Sequence, residues 1–137
     1  MAVEHGREHG RVQRGLSSAQ RHTVMAEDSA AALGSGDLLV LGTPRLLAWC
    51  EAATIAALAH QLGQDQSTVG TRIQLEHARA TPVGAVVTVR AELVHVDGRL
   101  LRFEVVAEDE TGATVGYGQV TRVIVDRARF MDRLQRP

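Results

Sequence analysis

Three residues of this 137-residue chain pair a reactive side chain with a setting that constrains it: Glu51, His77 and Thr43. Glu51 is the one acidic residue between Pro44 and Gly63, in a stretch made mostly of Leu, Ala, Ile, Trp and Cys. Burying an unpaired carboxylate is costly and raises its pKa. Glu51 must therefore meet a basic partner, face a wet gap, or work as a base or nucleophile. His77 closes an alternating stretch in which Val69, Thr71, Ile73 and Leu75 fall on its own face. A histidine there is either a satisfied core residue or, beside a carboxylate in the same layer, half of a pair that activates water. Thr43 follows Gly42 and precedes Pro44. Its hydroxyl can cap a helix, and the free N–H groups of such a terminus favour an oxyanion or a phosphate.

The elements that must hold these groups can be read next. Gly42-Thr43-Pro44 is a helix start, with Thr43 as cap and Pro44 in the first turn, where its missing N–H costs nothing. The helix is expected to run to about Gln61-Leu62 and stop at Gly63. It is apolar nearly all round, so something must wrap it. Along that helix Thr43 and Glu51 lie about 12 Å apart, too far to bond within one chain. If both serve one site, it joins Thr43 of one subunit to Glu51 of another, and the sequence asks for a dimer.

The wrapper is the Val- and Thr-rich remainder. Strands are expected over 67–80, 85–96, 100–108 and 114–125, with Asp97-Gly98 as a hairpin turn and a break at Thr81-Pro82-Val83-Gly84. A buried helix followed by four consecutive antiparallel strands is an α+β arrangement, a meander curled around the helix. Residues 1–20 are expected to form a poorly ordered leader, 21–130 the domain, and 131–137 a C-terminal tail. His5 and His9 have the spacing of helical metal ligands, but the glycines beside them argue against a helix.

Composition narrows the function classes. A net charge of -1 and 3% aromatic content leave little to attract or stack on nucleic acid. The longest apolar stretch is interrupted by Arg45, Glu51, His60 and Gln61, so no membrane partner is expected. The start of the chain is charged throughout with no apolar export core, and Cys50 has no second cysteine to pair with. Both features fit a cytoplasmic protein. Cys50 is next to Glu51 in sequence but faces about 100° away from it, and a lone cysteine in an apolar helix is usually packing.

At these residues the chain resembles a known group. The series Ser35-Gly36-Asp37, Gly42-Thr43-Pro44, Glu51, Ser67-Thr68-Val69-Gly70-Thr71, His77, Ala80-Thr81-Pro82-Val83-Gly84, Asp97-Gly98-Arg99, Arg122 and Arg129-Phe130 is similar to the hotdog thioesterases related to fluoroacetyl-CoA thioesterase. The likeness covers about residues 22–130. It implies a hotdog fold, a long buried helix wrapped by a curved antiparallel sheet, in a homodimer, with a tetramer left open. It further implies acyl-CoA hydrolysis with Thr43, Glu51 and His77 as catalytic residues. Gly70 would offer its backbone N–H to the thioester oxygen, and Arg122 would lie near the site. No metal and no cofactor beyond the CoA of the substrate are implied. The specialised fluoroacetyl enzyme carries phenylalanines in the loop before its threonine. Here that loop reads Leu33-Gly34-Ser35-Gly36-Asp37-Leu38, which points to a different or broader acyl group. A non-catalytic hotdog module that binds an acyl-CoA or small hydrophobic ligand remains an alternative, as does a hotdog dehydratase, although no characteristic dehydratase motif surrounds His77.

Overall fold

A computed structural model describes residues 11–136. The His5/His9 pair and the first half of the expected leader lie outside the described residues. The elements are β1 (Ser17–Thr23), a 3-10 turn (Ala26–Asp28), α1 (Ala30–Leu33), α2 (Thr43–Ala57), β2 (Gln66–His77), β3 (Val86–Asp97), β4 (Leu100–Asp109), β5 (Thr114–Asp126) and α3 (Arg127–Leu134).

The five strands form one antiparallel sheet in the order β1-β3-β4-β5-β2. Only β3, β4 and β5 form a meander. The expectation of four consecutive paired strands fails at β2, which pairs with β5 instead of β3. The Thr81–Gly84 segment is therefore a crossing from one edge of the sheet towards the other. It is fastened on the way by Leu41 N–H donating to Thr81 C=O and Gly84 N–H donating to Val24 C=O. β1 was also not expected, since Ser17–Thr23 fell across the end of the leader and the start of the domain. It pairs with β3 from Ser17↔Glu92 to Thr23↔Val86 and forms the other edge. Its pattern is hard to see because the side chains turned to α2 are polar: Ser18 Oγ donates to Ala53 C=O, and His22 stacks on Trp49 with ring centroids 4.2 Å apart.

Helix α2 packs against every strand. Leu46, Cys50, Ala53, Thr54 and Ala57 form its buried stripe and meet Val87, Val89, Leu93, Leu101, Phe103, Val105, Val120 and Ile124 from the sheet. Burial of such side chains contributes roughly 1.5–3 kcal/mol each. The small Ala53 and Ala57 let the backbone approach closely. The opposite side of α2 is equally apolar yet uncovered in one chain: Ala48 is exposed, Ile55 is 54% exposed, and Leu38 and Leu39 before the helix are 65% and 67% exposed. The helix ends earlier than expected, at Ala57, because His60 adopts a left-handed backbone (φ 65°) three residues before Gly63.

One irregularity in β2 decides the site. The register with β5 slips between Gly70 and Arg72, so Thr71 is an extra, bulged residue. Before the bulge Thr68 and Gly70 face α2; after it Ile73 and Leu75 pack on the core and His77 shares their face. The simple alternation that put Val69, Thr71 and His77 on one face is thereby corrected. A strand without a bulge would send residues 70 and 77, seven apart, to opposite faces.

Candidate active site

The chemical residues gather in two places, one at each end of β2. At its C-terminal end, His77 Nδ1 lies 2.7 Å from the hydroxyl of Thr43, the first residue of α2. Thr43 does not cap its helix. Gly42 occupies the cap position without a side-chain bond, and a Cβ there would sit 3.0 Å from Leu33 Cδ1 and 3.1 Å from Ala30 Cα. The crowded cap leaves the Thr43 hydroxyl free for the histidine. The chain before α2 is held by Asp28, which is buried. Its Oδ2 accepts from Met25 N–H and its Oδ1 lies 2.9 Å from Arg45 Nε on the first turn of α2.

Burial pushes the His77 pKa below the ordinary histidine value, so the imidazole is neutral near pH 7. Its Nε2 is buried and has no hydrogen-bond partner among the described residues. With Nδ1 tied to Thr43, Nε2 is the atom left to hold or take a proton.

At the other end, Glu51 reaches from the middle of α2 to Arg122 on β5: Arg122 Nη1 donates to Glu51 Oε2 at 3.1 Å. The same guanidinium donates through Nε to Thr68 Oγ1 at 2.8 Å and through Nη2 to Thr68 C=O at 3.1 Å. All three nitrogens are committed, and the Arg122 side chain is 7% exposed against 32% for Glu51. A planar guanidinium fixed on two sides by one residue presents its remaining edge in one orientation. Glu51 is thus held through one oxygen, while its carboxylate still reaches solvent. Gly70 lies directly below it, where a Cβ would collide with Glu51 Oε2 and come within 3.3 Å of Arg122 Nη1. A glycine inside a strand often marks such a close approach.

The sequence-level expectation that Glu51 pairs with His77 is not met within a chain. The structure brings Thr43 to His77 and Glu51 to Arg122 and Gly70, and the two groups are separated by roughly 20 Å along β2. Of the alternatives open for Glu51, the basic partner and the wet gap are both present. Thr68 was missed as a functional residue, since a threonine in a strand carries no signal until the arginine opposite it is known. Cys50 takes no part: burial raises its thiol pKa to about 11, which leaves almost no thiolate.

A neutral histidine beside a hydroxyl, and separately a carboxylate held over a glycine by a fixed cation, are groups suited to nucleophilic or base-assisted attack on a polar carbonyl. Comparison with known proteins points the same way. The profile of the family described as fluoroacetyl-CoA-specific thioesterase (FlK) matches residues 24–128. The chain is 35% identical over 91 residues to the fluoroacetyl-CoA thioesterase of Streptantibioticus cattleyicolor, a match that takes in 66% of this chain and 65% of that protein. Among solved structures, a threonine-to-serine variant of the fluoroacetyl-CoA thioesterase FlK in complex with acetyl-CoA superposes with a TM-score of 0.84. That pair is 26% identical and covers 90% of this chain and 97% of the other. A hot-dog-like protein from Thermanaerovibrio acidaminovorans gives 0.81 at 21% identity over 88% of this chain and 89% of its own, a likeness of fold alone. The architecture is that of the hotdog fold, α+β with a helix packed on a five-stranded antiparallel sheet.

Proposed function

Since the chain belongs to the fluoroacetyl-CoA-specific thioesterase family, we propose that it hydrolyses an acyl-CoA thioester to free CoA and a carboxylic acid. The observation that carries this reading is Glu51 itself, a carboxylate whose Oε2 is anchored on buried Arg122 directly over Gly70, while its Oε1 has no hydrogen-bond partner among the described residues. In this mechanism Glu51 attacks the thioester carbonyl, or takes a proton from a water that does so. The C–S bond breaks, the sulfur leaves with a proton as the CoA thiol, and water supplies the oxygen and proton of the acid. The backbone N–H of Gly70 steadies the oxyanion. His77 Nε2 handles the water proton, and Thr43 orients the ring or polarises the substrate. No metal enters the scheme.

Because Thr43 and His77 are remote from Glu51 in one chain, each site is built by two chains, Thr43 and His77 from one and Glu51 and Arg122 from the other. The bare side of α2 supports this, since Ala48 and Ile55 offer apolar surface that a second copy would cover. The substrate is a small or medium acyl-CoA rather than fluoroacetyl-CoA in particular. Residues 34–37 before the helix are Gly, Ser, Gly and Asp, exposed and without an aromatic ring to cover the acyl group.

The test is thiol release from short, branched and aromatic acyl-CoAs by the wild type and by Glu51→Ala. The variant is expected to lose at least about 10²-fold in kcat, the lower range for a general base or nucleophile. No turnover of any substrate by the wild type would leave a binding module. Full activity in Glu51→Ala would remove Glu51 from the chemistry.

A further inference from the structure

The sheet has a second face, turned away from α2, and the charges on it are sorted. Leu101, Phe103 and Val105 of β4 belong to the core, so Arg102, Glu104 and Val106 between and beyond them point outward. Strand pairing then sets the outer side chains in rows across the sheet. One row runs Glu92, Glu104, Gln119 and Gln74 from β3 to β2 and carries no base. The next runs His95, Arg102, Thr121 and Arg72 and carries no acid. Like charges directly opposite on neighbouring strands are unfavourable, yet Glu92 lies opposite Glu104, and His95 lies opposite Arg102. Among the described residues none of Glu92, Glu104, Arg72 and Arg102 forms an ion pair. A trough of about 820 Å³ crosses the same face over the acidic row, lined among others by Arg90, Val106 and Tyr117. Tyr117 is 50% exposed there.

We propose that this face packs on the same face of a second copy, so that the pair of chains joined across α2 doubles into a tetramer. The order of the charges carries the inference. A partner of one sign, nucleic acid included, would be repelled by one of the two rows. A surface with the same rows in reverse order matches both, and a two-fold axis running between the rows supplies it from the chain itself. The rows are two residues, or about 7 Å, apart along the strands, and facing sheets pack about 10 Å apart with their strands within about 30°. Such an axis sets Glu104 of each copy over Arg102 of the other, Glu92 over His95, and Gln74 over Arg72. The rows on either side agree over the three central strands. Arg90, Val106 and Tyr117 form one of them, and Asp97, Leu100 and Val123 form the other. The axis lays the first on the second, so that opposite charges meet at β3 and apolar side chains meet at β4 and β5. Leu100, Arg102 and Val123 of the second copy then fill the trough.

Sedimentation velocity at low salt tests the pairing with two charge reversals. Wild type should sediment as four chains. Arg102→Glu sets acid against acid across the axis twice, and Glu104→Arg sets base against base. Each variant should sediment as two chains, with the dissociation constant of the tetramer raised about 100-fold or more. The two variants, mixed without unfolding, should return to four chains, because each reversed residue then meets its opposite. That recovery also excludes misfolding as the reason that either variant falls apart. A wild type of fewer than four chains, a variant that keeps all four, or a mixture that stays at two would each overturn the pairing. A wild-type tetramer without thioester turnover would overturn the hydrolytic reading alone.

Discussion

At the scale of single residues, the site depends on a glycine as much as on the charged groups. Glu51 lies so close over Gly70 that no other residue fits below it without moving the carboxylate. Gly70→Ala should therefore keep the fold, since residue 70 sits on an edge strand, yet lose about 10²-fold in kcat, the scale expected when a reacting group is misplaced by about an ångström. Steady-state kinetics beside circular dichroism will show it; unchanged kcat would mean that Glu51 works from another position. The sequence marked Glu51, His77 and Thr43 because each type was out of keeping with its surroundings. It did not reveal how they pair. The ligand of His77 turned out to be the presumed helix cap, and that exchange depends on the packing of Leu33 and Ala30 around Gly42, which no local pattern records.

At the scale of elements, β3, β4 and β5 were legible within one or two residues, because alternation and the Asp97-Gly98 and Asp109–Gly112 turns are local signals. β1 and the placement of β2 were not. β1 turns polar side chains to the helix, and the β2–β5 pairing joins segments some fifty residues apart. The bulge at Thr71 was equally hidden, although the site depends on it. Deleting Thr71 should remove the bulge yet leave Gly70, Ile73, Leu75 and His77 on the face turned to α2, since Gly70 and His77 would then be six residues apart. The expected result is a chain that stays folded by urea unfolding but loses thioester hydrolysis, because the bend that the bulge puts in the strand below Glu51 is gone. A deletion variant with normal activity would show that the site does not depend on the bulge.

At the scale of the whole molecule, the two half-sites make a prediction about mixtures. Thr43→Ala and Glu51→Ala should each be inactive alone. After co-refolding, half of the dimers are mixed, and each mixed dimer holds one intact site of two, so activity should return to about a quarter of wild type under random pairing. No recovery, despite mixed dimers on a native gel, would place each complete site within one chain. Acid stability is a second molecular property. His22 and His77 both have pKa values lowered by burial, His22 in spite of the opposing pull of Asp28. Each is neutral in the folded chain, whereas unfolding returns it to the ordinary value of about 6.5. The unfolded state therefore binds more protons below that pH. Stability should hold above about 6.5 and fall as the pH drops through the lower folded values. Melting temperatures between pH 8 and 5 check this, and a flat or rising curve on acidification would contradict it. The stacking of His22 on Trp49 has one more consequence. Trp49 is the single tryptophan of the chain, and its ring lies nearly parallel to the imidazole, within 6°. An imidazolium there would lie over the indole face as a cation, and separating α2 from β1 would expose both rings to water. Indole emission thus gives the protein a built-in optical signal for the docking of its central helix, with no label and no competing fluorophore of the same kind.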